Sequence, residues 1–390
     1  MVKNNFILFN FSKLCLISIF PFIIYKTIYS EIRTNFYKNE ANKFLKSYFD
    51  DSDNNYTKIL ANKVNDIFKN KGFVNINEVE NDIYNLGKIY HKNKKNEINI
   101  GAQLDPNFTL QAMITFASIL DSQNKNTKIR FHIAVVLNFD IFDMLKIYSL
   151  RKKIREDAEF NFYNASKVEK DLDSLNLKGP GAVAKLLLPQ LLPDDIQRLL
   201  VFDTGDLIVL KDLKEQYNWD MKDNLYVGVP GGRIGQRSII TNQTYKRYIN
   251  IGSFLINVPK VKSENMYGKF VKYKKYYHSN IGDQDLLNDI SIGRVGMYPI
   301  KFGAYSPFID DSQPIIPTFK KINKDLNGFL PQNVIEYLKG GYIPYVIHQW
   351  NGKWNKGSGL TIYRRIAQYY IRYAGIWEET CKKFPGYCIK

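Results

Sequence analysis

Residues 199–210 read LLVFDTGDLIVL, in which two apolar runs enclose the turn Asp203-Thr204-Gly205-Asp206. The first run predicts a buried strand that ends at Asp203. A carboxylate at the end of a buried strand needs a bound cation or strong hydrogen bonds to compensate its charge. The turn is therefore a candidate metal site. Its alternative is an ordinary strand-ending turn, because such turns favour Asp and Gly.

Short apolar strands and helices alternate on the N-terminal side of this stretch. The predicted strands are 98–102, 131–136 and 160–163, and the predicted helices are 109–121, 139–153 and 181–192. This alternation is typical of βαβ units, which form a mainly parallel sheet with flanking helices. Ligands of such sheets bind at the carboxyl ends of the strands, where Asp203 and Asp206 lie.

Four further segments, considered together with the acidic turn, indicate a protein family. They are 105–108 (DPNF), 248–257 (YINIGSFLIN), 282–288 (GDQDLLN) and 348–357 (HQWNGKWNKG). Taken in this order, the series resembles the retaining glycosyltransferases of family 8, the relatives of glycogenin and of the lipopolysaccharide galactosyltransferases. The resemblance covers roughly residues 96–357. It implies a GT-A fold, which is a Rossmann-like mixed α/β sheet flanked by helices.

The resemblance assigns donor-binding roles to residues near the strand ends. Asp105 and Asn107 would contact the uracil and ribose of a UDP-sugar, and an ordinary Asp-Pro-Asn turn is their structural alternative. Lys185 would reach the donor diphosphate. A solvent-facing position is the alternative for this lysine, but its apolar neighbours favour burial and a paired role.

Four other residues would line the donor sugar by the same resemblance. Asn250 and Gly252 match an Asn-x-Gly turn, in which the glycine permits close backbone approach and the asparagine bonds a sugar hydroxyl. Asp283 would bond sugar hydroxyls, and the amide of Gln284 would lie near the anomeric carbon. The structural alternative for Asp283 is a helix N-cap, because a helix is predicted to begin there.

The predicted metal ligands are Asp203, Asp206 and His348. The family motif is Asp-x-Asp, and alignment of the apolar residues that follow puts Thr204 at its first acidic position and Asp206 at its second. Asp203 lies one residue early, so it requires that Gly205 loosen the turn. His348 would complete the metal sphere, with a structural strand-end histidine as the alternative. This set suits Mn²⁺ or Mg²⁺, and the imidazole favours Mn²⁺.

The segment after His348 departs from the family pattern His-x-x-Gly-x-x-Lys-Pro-Trp. The glycine and the lysine are displaced, and the proline is missing. By resemblance, Gly352 with Lys353 or Lys356 would form a diphosphate-binding loop, and the sequence leaves open which lysine binds.

These residues predict a metal-dependent, retaining transfer of a hexose or pentose from a UDP-sugar to a hydroxyl group of a glycan, glycoprotein or glycolipid. Asp283 and Gln284 are the catalytic candidates. We expect a front-face reaction, because an amide is a poor nucleophile, and a covalent intermediate on Asp283 stays open. The first alternative is an inactive sugar-nucleotide-binding module. A phosphohydrolase with Asp203 as nucleophile is weaker, since it leaves the GDQD and HQWNG segments unexplained.

Composition limits the partners. A hydrophobic content of 45% over 390 residues is ample for a large α/β domain. The net charge of +17 suggests an anionic partner, but no zinc-finger spacing, basic heptad or RNP-like strand occurs, so nucleic acid is not expected. Cys381 and Cys388 predict a small loop-closing disulfide if the domain is lumenal.

The N-terminal region predicts entry into the secretory pathway. Residues 6–29 are mostly apolar, but Lys13 and Lys26 leave only 14–25 uninterrupted. Such a run fits a signal-peptide h-region and is short for a span of about 20 residues. No small-residue cleavage site stands out, which favours a type II signal anchor in the Golgi or ER membrane with a lumenal catalytic domain, or a secreted domain after cleavage. The predicted organisation is an anchor in 1–30, a helical stem in 31–95 and the GT-A domain in 96–390.

Overall fold

A computed structural model describes residues 96–136, 139, 141–165, 181–273, 282–305, 345–348 and 362–384. The predicted anchor and stem lie outside the described residues. No helix in the described part of the chain combines the length and the apolar character that a membrane crossing requires.

The described residues form strands and helices that alternate along the chain. The strands are β1 (Glu97–Leu104), β2 (Lys128–Val135), β3 (Glu159–Asn164), β4 (Arg198–Phe202), β5 (Leu207–Val209), β6 (Tyr226–Pro230), β7 (Ile249–Asn257), β8 (Val295–Met297), β9 (Ala304–Tyr305) and β10 (Val346–His348). The helices are α1 (Thr109–Ser122), α2 (Ile141–Tyr148), α3 (Leu150–Ile154), α4 (Gly181–Leu191), α5 (Lys214–Tyr217), α6 (Val258–Ser263), α7 (Met266–Tyr273), α8 (Gly282–Ile290), α9 (Ile362–Tyr373) and α10 (Trp377–Lys383).

Seven strands form the main sheet in the order β3-β2-β1-β4-β7-β6-β8. The neighbours from β3 to β4 are parallel, and β7 is antiparallel to both β4 and β6. The predicted mixed, mainly parallel sheet is therefore confirmed. Helices that connect parallel strands must return along a face of the sheet, which buries the sheet on both sides.

The core has a layer on each face of the sheet. On one face, the Phe116 ring of α1 lies 4.9 Å from the Phe131 ring, which stacks on Phe160 at 4.6 Å. On the other face, buried residues of α4 and α8, such as Leu187 and Leu286, belong to one hydrophobic cluster with the strands. The apolar runs of the sequence thus lie where the predicted pattern requires.

The region predicted as one helix over 139–153 contains two helices, α2 and α3. The break is at Ser149, whose hydroxyl donates to the carbonyl of Lys146 at 2.6 Å. The interruption is confined to this one residue, because the Ser149 amide still donates to the Leu145 carbonyl at 2.9 Å and its backbone stays in the helical region.

A second sheet has the order β5-β10-β9 and lies beside the acidic turn. β10 is antiparallel to β5, with His348 opposite Leu207. Helix α1 holds β5 in place, because the Thr115 hydroxyl donates to the Leu207 carbonyl at 2.8 Å and the Val209 amide donates to the Ser118 hydroxyl at 3.0 Å. The register of this small sheet places His348 beside the residue that follows Asp206.

The C-terminal helices close one side of the domain. Tyr370 of α9 donates to a carboxylate oxygen of Asp121, at the end of α1, at 3.2 Å. Cys381 of α10 is disulfide-bonded, as predicted. Its predicted partner, Cys388, lies outside the described residues.

Candidate active site

The predicted site residues meet at the edge of the sheet where β4 ends and β7 begins. The Asp203 amide donates to the Gly252 carbonyl at 2.7 Å, directly after the paired residues Phe202 and Ser253. β1 ends at the same edge, because it is parallel to β4. This is the position at which α/β sheets bind ligands.

Asp206 and His348 face each other across the site. The Oδ2 atom of Asp206 lies 3.6 Å from Nε2 of His348, whose exposed fraction is only 6%. The second carboxylate oxygen of Asp206 is buried and has no hydrogen-bond partner among the described residues. The predicted convergence of these two residues is confirmed.

The acidic turn is held rigidly. The Thr204 hydroxyl donates to the Gln103 carbonyl at 2.8 Å. Gly205 has φ of +98°, and a Cβ atom there would lie 2.7 Å from Cβ of Gln111. A residue with a side chain is disfavoured by both the backbone conformation and this contact. The turn therefore requires its glycine, and the expected swing of the Asp203 carboxylate toward a metal stays a prediction.

Gly252 makes room for the imidazole of His348. A Cβ atom on Gly252 would lie 2.5 Å from Cε1 and 3.0 Å from Nδ1 of His348. The Gly252 amide also donates to Oδ1 of Asn250 at 2.8 Å. The Asn-x-Gly turn thus positions the histidine in addition to the sugar-binding role that its sequence predicts.

Replacing Gly252 by alanine is expected to lower catalytic activity by about 100-fold. The added methyl group would displace the His348 imidazole, and a misplacement of about 1 Å at a site can cost that much. The matched control is Gly232→Ala, since no atom lies within 4 Å of a Cβ placed there and its φ is not positive. Both variants should be compared by catalytic activity and by thermal unfolding. Equal activity of the two variants would show that the position of His348 does not matter.

Lys185 bridges two carboxylates in the interior of the site. Its Nζ atom lies 2.5 Å from Oδ1 of Asp203 and 3.0 Å from Oδ2 of Asp283, and the lysine is 2% exposed. Gln103 also donates to Oδ1 of Asp203, at 3.0 Å. The predicted burial and pairing of Lys185 are confirmed, and its partners are side chains.

The charges of this bridge depend on one another. Burial opposes the charge of Lys185, but Asp203 and Asp283 outweigh it and raise the pKa of the lysine. Burial raises the pKa of Asp203, and Asp206 and Asp283 add to that rise against the lowering by Lys185. The lysine therefore stays protonated and holds the acidic cluster together.

Asp203 and Asp283 make contacts that their sequence context did not predict. Oδ1 of Asp203 bonds Lys185 and Gln103, and no group of three His, Cys, Asp or Glu residues in the described ranges is arranged to hold a metal ion. The ligand role of Asp203 stays a prediction. Helix α8 begins at Gly282, so Asp283 lies in its first turn and not at the N-cap position that was its structural alternative.

The amide of Gln284 is oriented by bonds at both ends. Its Nε2 donates to the Tyr248 hydroxyl at 3.0 Å, and its Oε1 accepts from Asn250 at 3.0 Å and from the Ile251 amide at 3.3 Å. Gln284 is 8% exposed. The proposed catalytic pair thus divides into a buried, fixed amide and a carboxylate, Asp283, that pairs with Lys185.

A second buried carboxylate, Asp285, supports this arrangement. The Tyr248 hydroxyl donates to it, and Arg233 lies 3.2 Å from its Oδ2 atom. Burial raises the pKa of Tyr248, and its bond to Asp285 adds to the rise. Sequence reasoning assigned no role to these residues. The GDQD motif contains Asp285, but no local pattern indicates that Arg233 reaches it.

The remaining predicted residues lie at the edge of the site or beyond the described part of the chain. Oδ1 of Asp105 accepts from the amide of Asn107 at 2.8 Å and caps the short 3₁₀ helix Pro106–Phe108, as in the turn alternative. Both residues follow β1 at the correct edge, and their nucleotide contacts stay predictions. Gly352, Lys353 and Lys356 lie outside the described residues.

The donor atoms present fit a divalent cation. Asp206 has a buried oxygen that is not hydrogen-bonded in the described structure, and an imidazole lies beside the same carboxylate. Carboxylate and imidazole are the donors that Mn²⁺ accepts, and phosphate oxygens of a ligand would complete its coordination.

Comparisons with known proteins agree on one class. The model of Glycosyl transferase family 8 matches residues 99–313. The apo structure of the bifunctional glycosyltransferase WbbM has 16% identity and a TM-score of 0.56 over 75% of this chain, which spans about half, 52%, of WbbM. The galactosyltransferase LgtC, solved with donor and acceptor sugar analogues, has 17% identity and a TM-score of 0.54 over 71% of this chain and 95% of LgtC. No curated protein sequence matches. These likenesses confirm the predicted GT-A-like fold.

Proposed function

Because the chain belongs to glycosyl transferase family 8, we propose that it transfers a hexose or pentose from a UDP-sugar to a hydroxyl group of a glycan, a glycoprotein or a glycolipid, with retention at the anomeric carbon. The observation behind this proposal is the pairing of Asp206 with His348 at the carboxyl edge of the sheet. That edge is where a sugar nucleotide has access to both side chains.

Asp206 and His348 would hold a divalent cation, Mn²⁺ or Mg²⁺, together with the donor diphosphate. When bound, such a cation supplies positive charge that stabilises the leaving diphosphate. The protein's part is to keep the imidazole and the carboxylate at a fixed separation. Gly252 leaves room for the imidazole ring, and the pairing of β10 with β5 fixes the backbone of His348 beside Leu207.

Lys185, Asp283 and Gln284 would form the wall of the donor-sugar pocket. Asp283 lies in the first turn of α8 and has a partly exposed carboxylate that would accept hydrogen bonds from sugar hydroxyls. Its ion pair with Lys185 stabilises the carboxylate and thereby weakens it as a nucleophile. Gln284 is held by three hydrogen bonds and would keep the first turn of the helix in place.

These restraints favour a front-face reaction. The acceptor oxygen forms a bond to the anomeric carbon while the bond from that carbon to the diphosphate oxygen breaks. The acceptor proton passes to the leaving phosphate oxygen, so no protein base is required. Isolation of a sugar covalently bound to Asp283 after reaction with the donor would contradict this route.

A second candidate function is a sugar-nucleotide-binding module without turnover. Two observations favour it: Thr204 stands at the first acidic position of the family motif, and Oδ1 of Asp203 is bonded to Lys185. The module would bind a UDP-sugar through the same edge of the sheet and would release no UDP.

A donor panel distinguishes the two functions. The full chain is incubated with Mn²⁺ and UDP-sugars of several hexoses and pentoses, and free UDP is measured with water as the only acceptor. We expect release with at least one donor and its loss in Asp206→Asn. Binding of a donor without release, measured by calorimetry, would support the module instead.

A further inference from the structure

The connection between β6 and β7 also lies at the edge of the candidate active site. Residues 233–247, the basic loop, contain Arg233, Arg237, Lys246 and Arg247 and no acidic residue. β6 runs parallel to β4, because both are antiparallel to β7. The basic loop therefore leaves the sheet at the same edge as Asp203.

The basic loop is an ordered hairpin. The Ser238 amide donates to the Gln243 carbonyl at 2.8 Å, and the Tyr245 amide donates to the Gln236 carbonyl at 2.9 Å. Arg237 forms a β-bridge with Thr244. A surface that is ordered before binding loses little conformational entropy when a ligand arrives.

Two contacts fix the basic loop to α8, the helix that contains Asp283 and Gln284. Arg233 pairs with the buried carboxylate of Asp285 at 3.2 Å, and the Tyr245 hydroxyl donates to the buried carboxylate of Asp289. Asp285 is two residues from Asp283. Arg233 is thereby held beside the first turn of α8, which contains Asp283, and Tyr245 lies further along the helix.

The other three basic side chains of the loop have no such partner. Arg237, Lys246 and Arg247 are exposed, and none forms an ion pair with a residue of the described ranges. Arg237 reaches only the Asn242 side-chain oxygen, at 3.4 Å, and Arg247 reaches only a backbone carbonyl, at 3.5 Å. Arg247 thus points toward the start of β8, whereas Arg237 and Lys246 are two positive charges of the basic loop without an ion-pair partner in the described structure.

We propose that the basic loop binds the acceptor and selects a glycan that bears a carboxylate or phosphate group. This inference rests on the proposed glycosyltransferase function and names its acceptor class. Two carboxylates, those of Asp203 and Asp283, bond the buried Lys185, and a third, that of Asp206, lies beside His348. These carboxylates repel an anionic acceptor, so its binding needs positive charge elsewhere on the surface. Complementary charge raises the local concentration of the acceptor and favours it over neutral competitors.

The test uses three matched acceptors with the full chain and the donor found in the panel. They are p-nitrophenyl β-glucoside, its 6-phosphate and p-nitrophenyl β-glucuronide, which differ only in the group at C6: a neutral hydroxymethyl, a phosphate ester or a carboxylate. We expect transfer to at least one of the two anionic acceptors to exceed transfer to the neutral one by about tenfold or more, a preference of about 1.4 kcal/mol. The better anionic acceptor distinguishes phosphate from carboxylate recognition. The preference should decrease as salt is raised, because exposed charges are screened.

The double variant Arg237→Gln with Lys246→Gln should reduce this preference to near one. The control, Lys125→Gln with Lys214→Gln, removes the same charge from exposed side chains near the opposite edge and should keep it. Equal use of the three acceptors by the unmodified protein, use of none, or an unchanged preference in the double variant would overturn the inference. UDP release to water in the unmodified protein shows that the proposed function holds even when the inference fails.

Discussion

Replacing His348 by alanine is expected to lower sugar transfer by about 100- to 1,000-fold, the usual cost of removing one electrostatic stabiliser of a leaving group. Asp206→Asn should have a similar effect. The reason is that the two side chains face each other at 3.6 Å and would hold the same cation. The measurement is the rate of UDP release as a function of Mn²⁺ concentration.

The double variant separates a shared ion from two independent roles. If both residues hold one cation, the combined loss should be much smaller than the product of the single losses, because neighbouring groups that act as a unit are not additive. Excess Mn²⁺ should restore part of the activity of His348→Ala. Multiplicative losses that Mn²⁺ does not affect would contradict a common metal site.

Replacing Lys185 by methionine is expected to destabilise the folded protein by about 3–5 kcal/mol, which is the cost of removing one partner from a buried ion pair. The lysine is 2% exposed and bonds two carboxylates, which would then face each other without a cation. Unfolding in urea measures this loss. Lys214→Met, on the exposed surface of α5, is the control and should change the unfolding free energy by less than about 0.5 kcal/mol.

A compensating variant tests whether charge is the cause. Lys185→Met combined with Asp203→Asn removes the repulsion between the two carboxylates of the bridge, so we expect it to recover a large part of the lost stability. If the double variant is as unstable as Lys185→Met, the loss comes from packing of the lysine chain and not from its charge.

Element positions in this chain could be predicted locally because burial and periodicity are properties of short segments. The predicted strand 98–102 lies inside β1, and the predicted helix 181–192 coincides with α4 to within one residue. The predicted helix over 139–153 is found as two helices that meet at Ser149, whose hydroxyl donates to the Lys146 carbonyl. A break confined to one residue depends on geometry that periodicity does not contain.

The candidate site could be predicted in part, from the order of its motifs along the chain. The order of the motifs indicated that Asp206 and His348 meet, although 142 positions separate them. The partners of Lys185 were not predictable, because Asp203 and Asp283 approach it from a strand end and from a different helix. The pairing of Arg233 with Asp285 likewise has no signal within either segment.

The family, the alternation of strands and helices and the residue types at the carboxyl edge could be read from the sequence, because they follow from side-chain chemistry and its spacing along the chain. Which charges pair at that edge depends on how the chain folds. The energy of a buried charge depends on the atoms within a few ångströms of it, and those atoms come from distant parts of the chain. Lys185 therefore bonds the carboxylate expected to bind metal, while Asp206 retains a buried oxygen beside His348.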